Sequence, residues 1–219
     1  MDESQVKTTL YSLKADAPGS EDESDRRNGE RHMTLFRVGS IMVDGRRELC
    51  LIKNISAGGM KMRAYCNLDE GQKISVELKC GQQVTGTVSW KRDNDVGVSF
   101  IDAVDVIDIL SNTLEGPRPR MPRIEIECPI VVHVDGIRYE AIAHDVSQGG
   151  IKLQCSTQIP GDSDIVITLP GLAPEAGVVK WTKDGLLGVT FNRLMPLGGL
   201  VEWLRGLRDS QQRKAGSAA

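Results

Sequence analysis

Residues 54–62 are Asn-Ile-Ser-Ala-Gly-Gly-Met-Lys-Met, and residues 145–153 are Asp-Val-Ser-Gln-Gly-Gly-Ile-Lys-Leu. The two stretches lie 91 positions apart, and the same offset relates Trp90 to Trp181, Gly97 to Gly188 and Phe100 to Phe191. Several landmarks in one register indicate an internal duplication. The sequence therefore predicts two copies of one domain of about 90 residues, long enough for each copy to close its own core.

Within each copy, apolar residues alternate with polar ones, as at Ile74, Val76 and Leu78. Alternation of this kind is typical of half-buried strands, and the Asp-Gly and Gly-Gly pairs between them are typical of turns. In the first copy we predict six strands, near residues 33–43, 48–54, 59–64, 73–80, 83–90 and 96–100. So many short antiparallel strands predict a closed barrel or a sandwich, and we favour the barrel.

The hydrophobic period changes to that of a helix at the end of each copy. The apolar positions of the two helices are Ala103, Val106, Ile107, Leu110 and Leu114 in the first, and Leu200, Trp203, Leu204 and Leu207 in the second. We therefore predict an all-β dominated fold of two tandem six-stranded barrels, each followed by a C-terminal α-helix. The first domain would span residues 26–115 and the second residues 116–214, with a linker at residues 116–119.

The chain of 219 residues has 40% apolar content and a net charge of −3, which is typical of a soluble globular protein. No apolar run approaches the length of a membrane span, and the N-terminal residues do not resemble a secretory signal. We therefore expect a cytoplasmic protein with no membrane span. Residues 1–25 hold seven acidic residues against two lysines, a net charge of −5, and predict a disordered acidic arm.

Cysteines and histidines do not predict a metal site or a cofactor. Five cysteines are widely spaced, without a Cys-x-x-Cys pair, and only three histidines are present. We expect the cysteines to be reduced and mostly buried. We also expect Trp90, Trp181, Phe100 and Phe191 to pack in the barrel cores.

A cationic cluster at Arg26, Arg27 and Arg31 opens the first copy. Guanidinium groups offer planar paired donors that suit phosphate oxygens and the O6/N7 edge of guanine. The later polar turn, with Asn54, Ser56, Gly58 and Gly59, allows backbone N–H groups to approach an anion or a purine closely. The two groups are complementary parts of one predicted nucleotide site.

This order of motifs resembles the PilZ domain: Arg-x-x-x-Arg, then Asp/Asn-x-Ser-x-x-Gly, then a strand ending in Trp and a Gly-Val-x-Phe strand. The resemblance covers about residues 26–114 and 118–213. It implies barrels that bind cyclic di-GMP, a second messenger of bacteria. By the resemblance, Arg27 and Arg31 would hold phosphate and guanine, Arg26 would favour two ligands per site, and Asn54, Ser56 and Gly59 would hold the other guanine.

The second copy departs from the family pattern. It contains Arg118, Arg120 and Arg123, but no arginine pair at spacing four, whereas Asp145, Ser147 and Gly150 are all present. Loss of two charged hydrogen bonds weakens a site by about 3 to 6 kcal/mol, or roughly two to four decades in affinity. We therefore expect the first copy to bind cyclic di-GMP and the second to be at most a weak site.

The leading hypothesis is a non-enzymatic receptor that passes the ligand signal to an unidentified protein partner in motility, exopolysaccharide synthesis or secretion. The alternative is a protein-binding adaptor with a vestigial nucleotide site. Single-stranded nucleic-acid binding is disfavoured because only nine aromatic residues are present. An enzyme is disfavoured because no catalytic constellation is evident. The sequence leaves the oligomeric state open.

Overall fold

The computed structural model describes residues 34–79, 82–106 and 121–217. It contains two closed antiparallel barrels of six strands each, as the sequence predicts. Barrel 1 comprises β1 (Thr34–Val43), β2 (Arg46–Ser56), β3 (Gly59–Ala64), β4 (Lys73–Lys79), β5 (Gln82–Arg92) and β6 (Asp95–Phe100). Barrel 2 comprises β7 (Ile124–Val134), β8 (Ile137–Ser147), β9 (Gly150–Cys155), β10 (Asp164–Thr168), β11 (Glu175–Lys183) and β12 (Leu186–Phe191).

The two barrels have the same strand order, and in each the third strand pairs with the sixth. The order is β1-β2-β3-β6-β5-β4 in barrel 1 and β7-β8-β9-β12-β11-β10 in barrel 2. Asp-Gly turns join the first two strands of each barrel, and both residues of each turn have positive φ, 49° and 74° at Asp44 and Gly45. Paired positive φ values match the right-handed twist of a hairpin. The predicted turn chemistry is confirmed.

Alternation along the strands fills each barrel. In β3, Met60, Met62 and Ala64 are buried while Lys61 and Arg63 point outward. A fully buried aliphatic side chain contributes about 1.5–3 kcal/mol, so the inward rows supply most of the stability of each barrel. Cys50, Cys128 and Cys155 belong to these cores and Cys66 is half-buried, and none of these four is joined in a disulfide. Cys80 lies outside the described residues.

The C-terminal helix, α1 (Leu197–Ser217), packs its apolar face on barrel 2. Leu200 and Leu204 are buried, and the Trp203 indole N–H donates to the Pro170 carbonyl at 2.8 Å. The predicted apolar face of this helix is confirmed. Of the helix predicted after barrel 1, Val106 is described and buried, whereas the positions from Ile107 onward lie outside the described residues.

The flank of this apolar face contacts barrel 1. Arg205 donates from Nε to the Tyr65 carbonyl at 3.1 Å, and Arg208 is ion-paired with Glu48. Leu49 of barrel 1 joins the apolar cluster of barrel 2 and α1. The helix therefore links the two barrels. Within the described ranges, no helix combines the length and apolar content that a membrane crossing needs.

Trp90 and Trp181 are not core residues, so that part of the sequence prediction is wrong. Trp90 is 40% exposed and Trp181 is 44% exposed, although Phe191 is buried and Phe100 packs partly against its core. Alternation from buried Val88 would turn Trp90 inward. A β-bulge between Val88 and Trp90 adds one residue, which reverses the side chains that follow.

Candidate functional site

The β2–β3 hairpin holds the first polar motif. Asn54 lies in β2, Ser56 ends that strand, and Gly59 begins β3. The Ser56 hydroxyl donates to the Gly59 carbonyl at 3.1 Å. A Cβ at Gly59 would lie 2.5 Å from the Val98 carbonyl oxygen, so only glycine lets β3 approach β6 here. Ser56 and Gly59 therefore have a structural role in the hairpin that does not depend on a ligand.

A row of paired residues crosses four strands beside this hairpin. Asn54 pairs with Lys61, Lys61 with Gly97, and Gly97 with Trp90. The Trp90 ring lies on the backbone of Gly97, and the Lys61 ammonium nitrogen is 5.8 Å from the ring centroid. The outer wall of barrel 1 thus carries an amide, a cation and an aromatic face side by side.

An open cavity of about 750 Å³ covers this row. That volume is in the range of small-molecule sites, about 300–1,000 Å³. The predicted residues Asn54, Ser56 and Gly59 all line it, whereas Gly58 does not. The other lining residues are Met60, Lys61, Arg63, Trp90, Arg92, Asp93, Asn94 and Asp95.

Asp95 gathers three cations at one end of the cavity. The Lys53 ammonium is 2.7 Å and 2.9 Å from its two carboxylate oxygens, Lys61 is at 3.4 Å and Arg63 at 3.5 Å. The hydrogen bond from Lys53 holds the pKa of the Asp95 carboxyl below its usual range, Lys61 adds to this, and partial burial opposes it. With Arg92 and Asp93 included, four cations face two acids, a net charge of +2.

Lys61, Arg63, Arg92 and Trp90 line the cavity but were not predicted from the sequence. The sequence does predict that Lys61 and Arg63 lie on the outer face, because they alternate with the inward-pointing Met60 and Met62. Their convergence on Asp95 depends on the pairing of β3 with β6, which no local pattern shows. The outward Trp90 depends on the bulge in β5.

Three predicted site residues, Arg26, Arg27 and Arg31, lie outside the described residues. The chain nevertheless enters barrel 1 beside the cavity, because Thr34, the first described residue, pairs with Asn54. The first described residue of β1 is therefore the direct neighbour of the strand that carries the polar motif.

Barrel 2 repeats the construction of the hairpin. The Ser147 hydroxyl donates to the Gly150 carbonyl at 3.2 Å, and a Cβ at Gly150 would lie 2.3 Å from the Val189 carbonyl oxygen. Trp181 covers Gly188 as Trp90 covers Gly97. The duplication therefore extends to the contacts that shape each hairpin.

In barrel 2, the aspartate of the polar motif forms ion pairs with two cationic side chains of the same chain. Asp145 is only 8% exposed, is ion-paired with Arg123 through one oxygen, and has Lys152 at 3.1 Å from the other. Met121 and Leu194 lie over Gly149, where an added Cβ would be 3.0 Å from Met121 Sδ. Of the three arginines predicted as a weak site, Arg123 is thus placed on the motif, while Arg118 and Arg120 lie outside the described residues.

The cation cluster of barrel 1 is only partly retained at the equivalent positions of barrel 2, where Lys152 stands at the position of Lys61. Leu186 replaces Asp95, and Gln154 replaces Arg63. His144 replaces Lys53 and is 3.2 Å from the Gln154 amide oxygen. Among the described residues, no group of three or more His, Cys, Asp or Glu side chains has the geometry of a metal site.

Comparison with known families gives one match. The model of the PilZ domain matches residues 25–114 and again residues 117–202, so the two matches coincide with the two barrels and together cover most of the chain. A search of curated proteins found no match.

Several solved structures are similar to this chain at low sequence identity. PlzA of Borreliella burgdorferi, solved in complex with c-di-GMP, is 12% identical over 77% of this chain and 85% of its own, with a TM-score of 0.35. YcgR of Escherichia coli, also in complex with c-di-GMP, is 12% identical over 83% and 86%, with a TM-score of 0.29. The MrkH–c-di-GMP complex of K. pneumonia is 13% identical over 83% and 90%, with a TM-score of 0.29.

Proposed function

The chain belongs to the PilZ domain family, and from that premise we propose that it is a cyclic di-GMP receptor. The ligand binds at the cavity of barrel 1, and the resulting change in the protein surface is passed to a protein partner. The observation that carries the proposal is the composition of that cavity, which brings an aromatic face, an amide, a hydroxyl and a net positive charge onto one wall.

The chemistry of the cavity suits a cyclic dinucleotide. Cyclic di-GMP carries two phosphates, about −2 in charge, which matches the net charge of +2 around the cavity. Trp90 offers an exposed ring on which a guanine can stack, an interaction worth about 1–3 kcal/mol per base. Asn54 and Ser56 offer donors and acceptors to a guanine edge.

Arg27 and Arg31 complete the site by binding phosphate and the O6/N7 edge of guanine, and Arg26 stacks on a second ligand or contacts its phosphate. This assignment follows the family motif and is supported by the pairing of Thr34 with Asn54, which places the start of β1 beside the cavity. Paired guanidinium bonds give these contacts both strength and orientation.

Barrel 2 contributes little to ligand binding in this proposal. Arg123 and Lys152 already occupy both oxygens of Asp145, and Met121 covers the adjacent turn. A ligand would have to displace these contacts without an arginine pair at the family spacing. One ligand or one ligand dimer per chain is therefore expected.

The route from ligand to partner follows the β2–β3 hairpin. Its tip carries Ser56 and Gly59 at the cavity, and its open end carries Leu49 and Tyr65 at the contact with α1 and barrel 2. A strand rises about 3.3 Å per residue, so the two ends are roughly 20–25 Å apart along one hydrogen-bonded ladder. Ligand binding at the tip can thereby shift the equilibrium between barrel arrangements.

Calorimetric titration of cyclic di-GMP into the intact protein tests the proposal. We expect one or two ligands per chain, and a loss of about 100-fold or more in affinity for Arg27→Ala, as two charged hydrogen bonds predict. The matched control is Arg46→Ala, an exposed arginine outside the cavity lining. Binding that survives Arg27→Ala unchanged would contradict the assignment to barrel 1.

The second candidate function is a protein-binding adaptor. It is favoured by barrel 2, where Met121 and Leu194 are 41% and 58% exposed beside a polar motif already engaged by Arg123. If the intact protein gives neither heat nor thermal stabilisation with cyclic di-GMP, the adaptor function replaces the receptor function.

A further inference from the structure

The cation cluster around Asp95 binds a carboxylate of its own chain. Lys53, Lys61 and Arg63 converge on that carboxylate at distances between 2.7 Å and 3.5 Å. Lys61 and Arg63 are each 47% exposed, and an ammonium carries three donors and a guanidinium five, so both retain donors that face the cavity. The cluster has the capacity to bind further carboxylates.

The acidic segment at residues 21–25, Glu-Asp-Glu-Ser-Asp, is tethered close to this cluster. Thr34 lies nine positions after Asp25 and pairs with Asn54 in the cavity lining. Nine residues reach up to about 30 Å, and a short tether gives an effective concentration on the order of millimolar. The segment can therefore reach any part of the cavity.

We propose that residues 21–25 dock on the cation cluster of barrel 1 and compete there with the dinucleotide. The inference rests on the proposed function, since the ligand whose entry is regulated is cyclic di-GMP. Four carboxylates of the segment occupy Lys61 and Arg63 when ligand is scarce, and the phosphates displace them when ligand is abundant. The competition sets the ligand concentration at which the receptor responds.

The docking is specific to barrel 1. The equivalent outer face of barrel 2 has Leu186 and Gln154 in place of Asp95 and Arg63, so it lacks the converging cations. Two lysines remain at equivalent positions: Lys152, which is already ion-paired with Asp145, and Lys183, which replaces Arg92. Charge complementarity therefore directs the acidic segment to one of the two barrels.

The first test measures cyclic di-GMP affinity by calorimetry in two matched triple variants of the full chain. Glu21→Gln/Asp22→Asn/Glu23→Gln should bind about 3- to 10-fold more tightly than wild type, as a few exposed ion pairs predict. Asp2→Asn/Glu3→Gln/Asp16→Asn removes the same charge farther from the cavity and should leave the affinity unchanged. Equal gains in both triples, or no gain in the first, would overturn the proposal.

The same affinity measurements, repeated at different salt concentrations, test whether the docking is electrostatic. The gain of the first triple should shrink between 0.05 M and 0.5 M NaCl, because the Debye length falls from about 14 Å to about 4 Å over that range. A gain independent of salt would indicate that the substitutions act through something other than charge and would overturn the electrostatic docking.

A cross-linking experiment tests the docking without any ligand. A carbodiimide joins a lysine amine to a contacting carboxylate as an amide, and mass spectrometry of the digested full chain should find residues 21–25 linked to Lys61. Lys73, which is exposed on β4 outside the cavity lining, is the control and should not be linked. Cyclic di-GMP at saturation should abolish the link.

The two experiments separate the inference from the proposed function. A cross-link to Lys61 without any binding of cyclic di-GMP would retain the docking and refute the receptor. Ligand binding with neither the cross-link nor an affinity gain would retain the receptor and refute the docking. Pairing of the acids with the neighbouring Arg26 and Arg27 would give the gain without the cross-link, and so would also refute docking on barrel 1.

Discussion

The indole ring of Trp90 lies against the backbone of Gly97, so closely that an added Cβ at Gly97 would be 1.9 Å from the indole nitrogen. The pair recurs in barrel 2 as Trp181 and Gly188, with a corresponding distance of 2.0 Å. The glycine in each barrel thus holds a tryptophan flat on the outer wall. The indole ring can take this position only because the residue beneath it has no side chain.

Alanine substitutions at the two glycines distinguish an effect on stability from an effect on ligand binding. Gly97→Ala and Gly188→Ala should each destabilise the protein by about 1–3 kcal/mol, because the methyl group forces the ring away. Only Gly97→Ala should weaken cyclic di-GMP binding, by roughly 5- to 100-fold if a guanine stacks on Trp90. Thermal unfolding and calorimetric titration measure the two effects. Equal effects of both variants on affinity would exclude Trp90 as the stacking face.

Arg123 should stabilise barrel 2 without serving the ligand. In Arg123→Gln, the mostly buried Asp145 keeps only Lys152, and we expect a loss of about 1–2 kcal/mol, discounted because Arg123 is half exposed. Arg138→Gln is the control, since Arg138 and Glu140 form an exposed pair at 3.6 Å and should contribute little. Chemical denaturation measures both. A changed affinity for cyclic di-GMP in Arg123→Gln would show that barrel 2 takes part in binding.

Asp95→Asn should lower stability in a pH-dependent manner. The pKa of Asp95 is lowered in the folded protein, so its stabilising contribution is fully present above the unfolded value, about 4. That contribution is lost as the pH falls through the lower folded pKa. We expect the Tm of the variant to lie about 1–3 °C below wild type at pH 7, a difference that shrinks below pH 4. A difference that is constant with pH would show that the carboxylate charge is not responsible.

Arg208→Gln should loosen the contact between α1 and barrel 1. Glu48, which is mostly buried, would lose its cation, and the adjoining Cys66 would become more accessible. Burial, with a smaller effect of Glu48, raises the pKa of the Cys66 thiol to about 11, so alkylation of wild type at pH 8 should be slow. Arg208 itself lowers this pKa, so its removal by itself would slow alkylation. Peptide mapping after iodoacetamide treatment should nevertheless show faster modification of Cys66 in the variant, because the thiol becomes more exposed. An unchanged rate would mean that α1 holds barrel 1 without this ion pair.

The fold follows from patterns that are local in the sequence. Two-residue alternation, Asp-Gly turns and a single offset suffice to predict twelve strands in two barrels, and the helical period predicts the apolar face of α1. The bulge before Trp90 inserts one residue without any signal in the side chains around it, which is why the ring was predicted on the wrong side.

The site was predictable only in part, because it is assembled across strands. Asn54, Ser56 and Gly59 are close in sequence and could be recognised together. Asp95 meets Lys53 and Arg63 through pairings with a separation of 32 to 42 residues, and Arg123 meets Asp145 over 22 residues. Such contacts depend on register, which the residue types at these positions do not specify by themselves.

The serine–glycine hydrogen bond of each hairpin gives the motif a structural role that does not depend on ligand binding. Ser147 and Gly150 make the same contacts as Ser56 and Gly59, in a barrel whose polar motif is held by its own arginine. After a gene duplication, selection for correct folding alone would retain this serine and glycine, even in a copy that had stopped binding a nucleotide. The outward charged positions, which the hairpin does not need, are free of this constraint, and several of them differ between the copies, as Asp95 and Leu186 do.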